Sequence, residues 1–115
     1  MTIADWLETC TPAPPPTLAT ALRGALAPVL QTSVSSGEEG QGNRAHAEML
    51  RAAEALLLPV MRGSSAGRGM ALDLLCADAL VTYAFEAAAE DPESIAALAD
   101  AAMRSIGSLA AEGCR

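Results

Sequence analysis

Residues 70–90 read MALDLLCADALVTYAFEAAAE, and this stretch decides the fold class. Its apolar residues recur on nearly every side of a 3.6-residue repeat, which is typical of a helix with neighbours on most sides. The triplet Asp91-Pro92-Glu93 then supplies an N-cap, a proline at the first helical position and an acid in the first turn. The sequence therefore predicts a central fourth helix over residues 66–90 and a fifth helix after it.

The fifth predicted helix carries one apolar stripe at helical spacing and ends near Gly113. Its members are Ile95, Leu98, Ala102, Ile106 and Leu109. A single stripe of this kind packs against one neighbouring helix, and we expect antiparallel packing on the fourth helix.

A third helix is predicted to begin after Asn43 as N-cap, with an irregular last turn at Pro59 and an end at Gly63. Its apolar side consists of Met49, Leu50, Ala53, Leu56, Leu57, Val60 and Met61. Arg44, Glu48, Arg51 and Glu54 are expected on the outer side, where Glu48 and Arg51 are i, i+3 ion-pair partners. His46, the one histidine, is expected to be solvated in the first turn. The preceding residues 35–42 are polar and Gly-rich, which predicts a flexible loop.

Two further helices are predicted nearer the N-terminus. Thr2 and Asp5 have the spacing of a capping pair for a short helix over residues 2–10, anchored by Trp6. Prolines then make residues 11–16 a stiff, non-helical spacer. A second helix is expected from an N-cap at Thr17 to about residue 33, kinked or split by Pro28. The prediction is an all-α fold, a compact bundle of four main helices plus a short N-terminal helix, in one domain over residues 1–115.

Composition limits the classes of function. The chain has 115 residues, a formal net charge of −7 and 3% aromatic residues, and its basic residues are all Arg. No basic stripe opposes this negative charge, so we expect neither nucleic acid nor a membrane surface as a partner. Three widely spaced cysteines are typical of reduced thiols in a cytoplasmic protein, and cytoplasmic is the expected localisation.

No constellation in the sequence predicts a catalytic, cofactor or metal site. Asp78, Thr82, Glu86 and Glu90 recur every four residues, but Asp78 and Glu86 lie about 12 Å apart along a helix, too far for one cation. We interpret them as the solvent-facing strip of the fourth helix. Cys76 lies among leucines and is expected to be a small buried hydrophobe.

One local pattern resembles a known family. The run ADALVTYAFE of residues 77–86, followed by Asp91-Pro92-Glu93, resembles the helix after the first aspartate-rich motif of trans-isoprenyl diphosphate synthases. The similarity covers about residues 70–107. It implies a helix that packs in the core and at a dimer interface. The chain lacks the D-D-x-x-D motif and the paired arginines of the family, so the resemblance implies no catalysis.

The leading functional hypothesis is a non-enzymatic protein that acts through protein–protein interaction as a homodimer, since a low-aromatic core leaves apolar helix surface to cover. The expected interface residues are Leu74, Val81, Phe85, Ile95, Leu98 and Ile106. One alternative is an accessory or regulatory subunit of a larger helical enzyme such as a prenyl-diphosphate synthase, whose partner is another helical protein. The other alternative is a binder of small apolar ligands, in a pocket lined by Met49, Leu56, Met61 and Met70.

Overall fold

The computed structural model describes residues 2–10, 12–31, 42–63, 67–89 and 92–113. Within these ranges the chain is all-α, without a β-strand. The helices are α1 (Ile3–Glu8), α2 (Pro16–Leu26), a 3-10 turn (Ala27–Val29), α3 (Gly42–Met61), α4 (Gly67–Ala87) and α5 (Pro92–Gly113). The Cα radius of gyration of 14.1 Å is close to the value of about 13 Å expected for a compact chain of this length. The all-α prediction and the helical bundle are confirmed.

The first helix begins at the predicted capping pair. The amide of Asp5 donates to Thr2 Oγ1 at 3.2 Å, and the amide of Thr2 donates to Asp5 Oδ2 at 3.1 Å. Two of the amides that a helix start leaves without partners are thereby satisfied. The hydrogen bond from Thr2 lowers the pKa of Asp5. The amide of Ala4 also donates to the carbonyl of Leu30 at 3.0 Å, which joins α1 to the turn after α2.

The prolines set both ends of α2. Residues 12–15 are not helical, as predicted for the spacer, while Thr11 lies outside the described residues. The N-cap is Pro15 and not Thr17, because Pro16 already has helical geometry and needs no amide donor at the first position. At the other end α2 stops at Leu26, and Pro28 lies in the 3-10 turn. The predicted split at this proline is therefore confirmed, although the predicted end near residue 33 lies outside the described ranges.

Helix α3 begins one residue earlier than predicted, at Gly42, so that Asn43 lies inside it and not at its N-cap. The remainder of the predicted flexible loop, residues 35–41, lies outside the described residues. Pro59 is accommodated in the last turn, and the chain leaves the helix at Gly63 with a φ of 71°. Glycine adopts this left-handed conformation without the steric cost that a Cβ brings, which explains the end of the helix.

The helix at the centre of the bundle is α3. It packs against α4, against α5 and against α2, whereas α5 has few contacts with α4. The expectation of a central fourth helix with the fifth packed on it is therefore wrong. Ala45, Met49 and Ala53 are each fully buried on α3, and the two small alanine side chains allow neighbouring helices to approach its axis closely.

The core is a cluster built largely from small and aliphatic side chains. Its largest fully buried members are Ile3, Leu22, Leu26, Met49, Leu80 and Cys76. Cys76 is 1% exposed, which confirms the interpretation of this residue as a small buried hydrophobe. The core face of α4 consists of Cys76, Ala77, Leu80 and Ala84. This face takes up only part of the circumference of α4. Of the other apolar residues of the helix, Val81 and Phe85 are half-buried against the core, whereas Leu74 and Leu75 are exposed.

Candidate interaction surface

The six residues predicted to form an interface are in three different environments. Leu98 is 4% exposed and belongs to the core of its own chain, so it is not available to a partner in this conformation. Leu74 is exposed. The other four are half-buried and pack against the core: Val81, Phe85, Ile95 and Ile106. The structure therefore does not bring the predicted set together as one open surface.

The apolar surface that stays open lies on the N-terminal half of α4. Leu75 is 58% exposed and Leu74 is 42% exposed, although both belong to the most apolar helix of the chain. Ala71 before them is exposed, and Leu72 is half-buried. Single exposed hydrophobic residues are ordinary, but four neighbours over about one turn of one helix form a contiguous patch. Sequence reasoning missed Leu75, because the all-round apolar pattern of this helix does not show which side is covered.

Polar residues continue this surface toward the C-terminal half of α4. Asp78, Thr82 and Glu86 are all exposed, which confirms the predicted solvent-facing strip, while Glu90 lies outside the described residues. Among the described side chains, neither Arg68 at the start of α4 nor Glu86 near its end forms an ion pair. Two exposed charges of opposite sign are thus left at opposite ends of the same helix.

The exposed side of α5 differs from that of α4. Met103 is 78% exposed there, but its sequence neighbour Arg104 forms an ion pair with Asp100 one turn earlier. Exposed alanines and glycine make up much of the remainder. A lone methionine beside a satisfied ion pair is an ordinary surface feature, so α5 offers a weaker candidate than α4.

Trp6 anchors α1 on the flank of α4 opposite to Leu74. Its ring meets Tyr83 edge to face, with centroids 5.5 Å apart and planes at 76°. This geometry is favourable for aromatic pairs because the positive ring edge points at the negative face. The carbonyl of Trp6 also accepts a hydrogen bond of 3.7 Å from the thiol of Cys10. The cluster holds the N-terminal helix in place, as expected for an anchoring tryptophan.

The thiols in the described ranges are poor nucleophiles. Burial raises the pKa of Cys76, and nearby Asp73 raises it further. Burial likewise raises the pKa of Cys10, with a smaller contribution from the charge of Glu86. Reactive cysteines instead have a lowered pKa, because the thiolate is the nucleophile. Burial also raises the pKa of the Tyr83 phenol, and the charges of Cys10 and Glu86 raise it further.

These shifts predict a loss of stability in alkali. Cys10, Cys76 and Tyr83 have pKa values above their ordinary values of 9.0 and 10.0, so the unfolded chain releases these protons first. Their contribution is complete below the ordinary pKa and is lost as the pH rises through the folded pKa. We expect the urea midpoint of unfolding, measured by circular dichroism, to decrease as the pH is raised from about 8 to about 10.5. Cys10→Ala should flatten that decline, and a midpoint that rises with pH in the unchanged protein would contradict the assignment.

Two polar side chains of α3 are less exposed than predicted. His46 is 5% exposed rather than solvated, because α3 is covered from its first described side chain onward. Glu54, expected on the outer side, is half-buried, and no described group donates a hydrogen bond to its buried Oε1. Glu48 does form the predicted ion pair with Arg51, with 3.6 Å between oxygen and nitrogen. Both differences follow from the central position of α3.

The four residues of the predicted apolar pocket do not share one environment. Met49 is fully buried in the core, whereas Met61 is exposed at the end of the same helix, about 18 Å further along. Leu56 and Met70 are half-buried. Within the described part of the chain, no three His, Cys, Asp or Glu side chains are close enough together to hold a metal ion. None of the helices, as far as they are described, is long and apolar enough to cross a membrane.

Comparison with known proteins does not add to this geometry. The chain matches no family model, no curated protein and no solved structure. What the fold and the surface define is thus a class, a small all-α bundle whose fourth helix has an open apolar face.

Proposed function

We propose that this chain is a non-enzymatic protein that acts through protein–protein interaction and forms a homodimer. The observation that carries the proposal is the contiguous patch on α4 in which Ala71, Leu74 and Leu75 are exposed and Leu72 is half-buried. Removing such a patch from water is favourable by about 25 cal/mol for each Å² of apolar surface, so its burial stabilises the association of a second helix. In a two-fold symmetric dimer, one patch serves both subunits.

The patch is small, which sets the expected affinity. One helix face per subunit buries less than a standard interface of about 1,600 Å², and association must also overcome lost translational and rotational freedom. The net charge of −7 on each chain adds repulsion at low ionic strength, which salt near 0.15 M screens beyond about 8 Å. We therefore expect a dissociation constant of about 10–100 μM at that ionic strength.

Replacing Leu75 by Glu should abolish the dimer. A carboxylate at the middle of the patch would have to lose water on association, and the two-fold symmetry would bring the same charge of the partner close to it. Sedimentation equilibrium from 5 to 500 μM should show a monomer–dimer equilibrium for the unchanged protein and a monomer for Leu75→Glu. Met103→Glu is the matched control, because it places the same charge at an exposed apolar residue of α5 and should leave the dimer intact. A strict monomer at 500 μM for the unchanged protein would rule out the homodimer.

The two alternative functions stay hypotheses with different expected results. An accessory subunit of a larger helical enzyme would use the same patch for another chain and would be monomeric by itself. A binder of apolar ligands would gain thermal stability when a hydrophobic compound is added, by mass action on the folded state. Neither result is expected from the homodimer, so the sedimentation experiment and a thermal-shift series separate the three.

A further inference from the structure

The exposed side of α4 carries complementary charges at its two ends. Arg68 and Glu86 are 18 residues apart, which is five complete turns of an α-helix and about 27 Å. At about 100° per residue they lie on the same side of the helix. Both are exposed, and neither has an ion-pair partner among the described residues. Any surface that pairs with this side in the right direction could satisfy both of them.

Between these charges the side chains follow a repeat of four and three residues. We call this surface the open face of α4, and it consists of Arg68, Leu72, Leu75, Ala79, Thr82 and Glu86. Four of these residues are exposed, whereas Leu72 and Ala79 are half-buried and Ala79 also contacts the core at the edge of the face. Alternating steps of four and three keep residues on one seam when two helices pack along their length. Leu75, the most exposed leucine of the protein, lies near the middle of the open face beside the small Ala79.

Resting on the proposed homodimer, we infer that two copies of the chain pair through antiparallel α4 helices in one register. The two-fold axis passes at the level of Ala77. Leu75 then packs opposite Ala79 of the second copy, and Leu72 packs opposite its Thr82. At each end Arg68 meets Glu86 of the other subunit, which forms two ion pairs related by the symmetry. Larger and smaller side chains thus face each other along the seam.

Charge selects this direction over the parallel one. In a parallel pair Arg68 would face Arg68 and Glu86 would face Glu86, so that both ends of the seam would repel. Arg68 is also the only base between Gly67 and Met103, a segment that carries seven acids. The antiparallel register through Ala77 therefore brings this one cation opposite the exposed Glu86 of the other copy at each end.

A cycle of charge reversals tests the register by sedimentation equilibrium in 0.15 M salt. Arg68→Glu places two carboxylates at each end and should raise the dissociation constant at least tenfold. Glu86→Arg places two guanidinium groups there and should also raise it at least tenfold, even though this change reduces the net negative charge. The double variant Arg68→Glu with Glu86→Arg restores opposite charges and should return the dissociation constant to within threefold of the unchanged protein. Arg104→Glu, which alters the net charge as much as Arg68→Glu does but lies on α5, should change it less than threefold.

The outcomes distinguish the register from the homodimer itself. If the protein dimerises and Leu75→Glu is monomeric, but the single reversals have no effect or the double variant is not rescued, this register is overturned while the homodimer stands. If the unchanged protein is monomeric at 500 μM, both are overturned. Circular dichroism at 5 μM checks that each variant is folded. We expect all of them to fold, because every substituted side chain in the cycle is exposed.

Discussion

Replacing Leu80 by Ala is expected to lower the free energy of unfolding by about 3 kcal/mol, within the range measured for buried leucines. Leu80 is fully buried on the core face of α4. The substitution removes its contribution to hydrophobic burial and leaves a cavity that close-packed neighbours fill only in part. For a domain whose whole stability is about 5–15 kcal/mol, this loss should be visible as a large drop in the urea midpoint.

Leu75→Ala is the matched control for this prediction. It is the same substitution in the same helix, but Leu75 is 58% exposed. At a protein concentration of about 2 μM, below the expected dissociation constant of the dimer, the loss should be within about 0.5 kcal/mol, as for ordinary surface substitutions. If the two variants lost equal stability, the described orientation of α4 would be incorrect.

Replacing Ala53 by Asp should unfold most of the protein at 25 °C. Ala53 is fully buried on α3, the helix that packs against α2, α4 and α5. A carboxylate there has no described partner to compensate for its lost hydration, and the new side chain must also displace packed neighbours. We expect a loss of more than about 4 kcal/mol, seen as lost helical ellipticity or a urea midpoint near zero.

Ala55→Asp separates this effect from the helix propensity of aspartate. Ala55 is exposed on the same helix, two residues further along. The propensity cost of Asp relative to Ala is about 0.7 kcal/mol at most and applies equally to both substitutions. We expect Ala55→Asp to remain folded with a loss of about 0.5–1 kcal/mol. A folded Ala53→Asp variant would mean that α3 is not the central helix.

Much of the secondary structure follows from local sequence signals. The capping pair of Thr2 and Asp5, the break at Pro28 and the helix end at Gly63 are all found as predicted. Each depends on groups within a few residues of one another, so the physical cause is contained in the sequence itself. The Thr17 N-cap fails for an equally local reason, because Pro16 can begin the helix without an amide.

The arrangement of the helices could not be predicted in the same way. An apolar stripe shows that a helix has a neighbour, but it does not identify that neighbour. The stripe of α5 therefore predicted packing on α4, whereas the structure packs α5 on α3. The buried position of His46 follows from the same arrangement. The arrangement also decides which of the expected interface residues stay open, since Leu98 is covered by its own chain.

By itself, the sequence determined that the chain is acidic, lysine-free and all-α. It also determined where most of the helices begin and end and which residues of each helix are apolar. Only the tertiary structure decided that α3 is enclosed and that Leu74 and Leu75 of α4 stay in contact with water. The physical reason is that helix propensity and capping act over a few residues, whereas burial depends on which surfaces of distant helices meet. A core rich in alanine packs neighbouring helices closely on α3, and Leu74 and Leu75 of α4 stay exposed beside the described part of the chain.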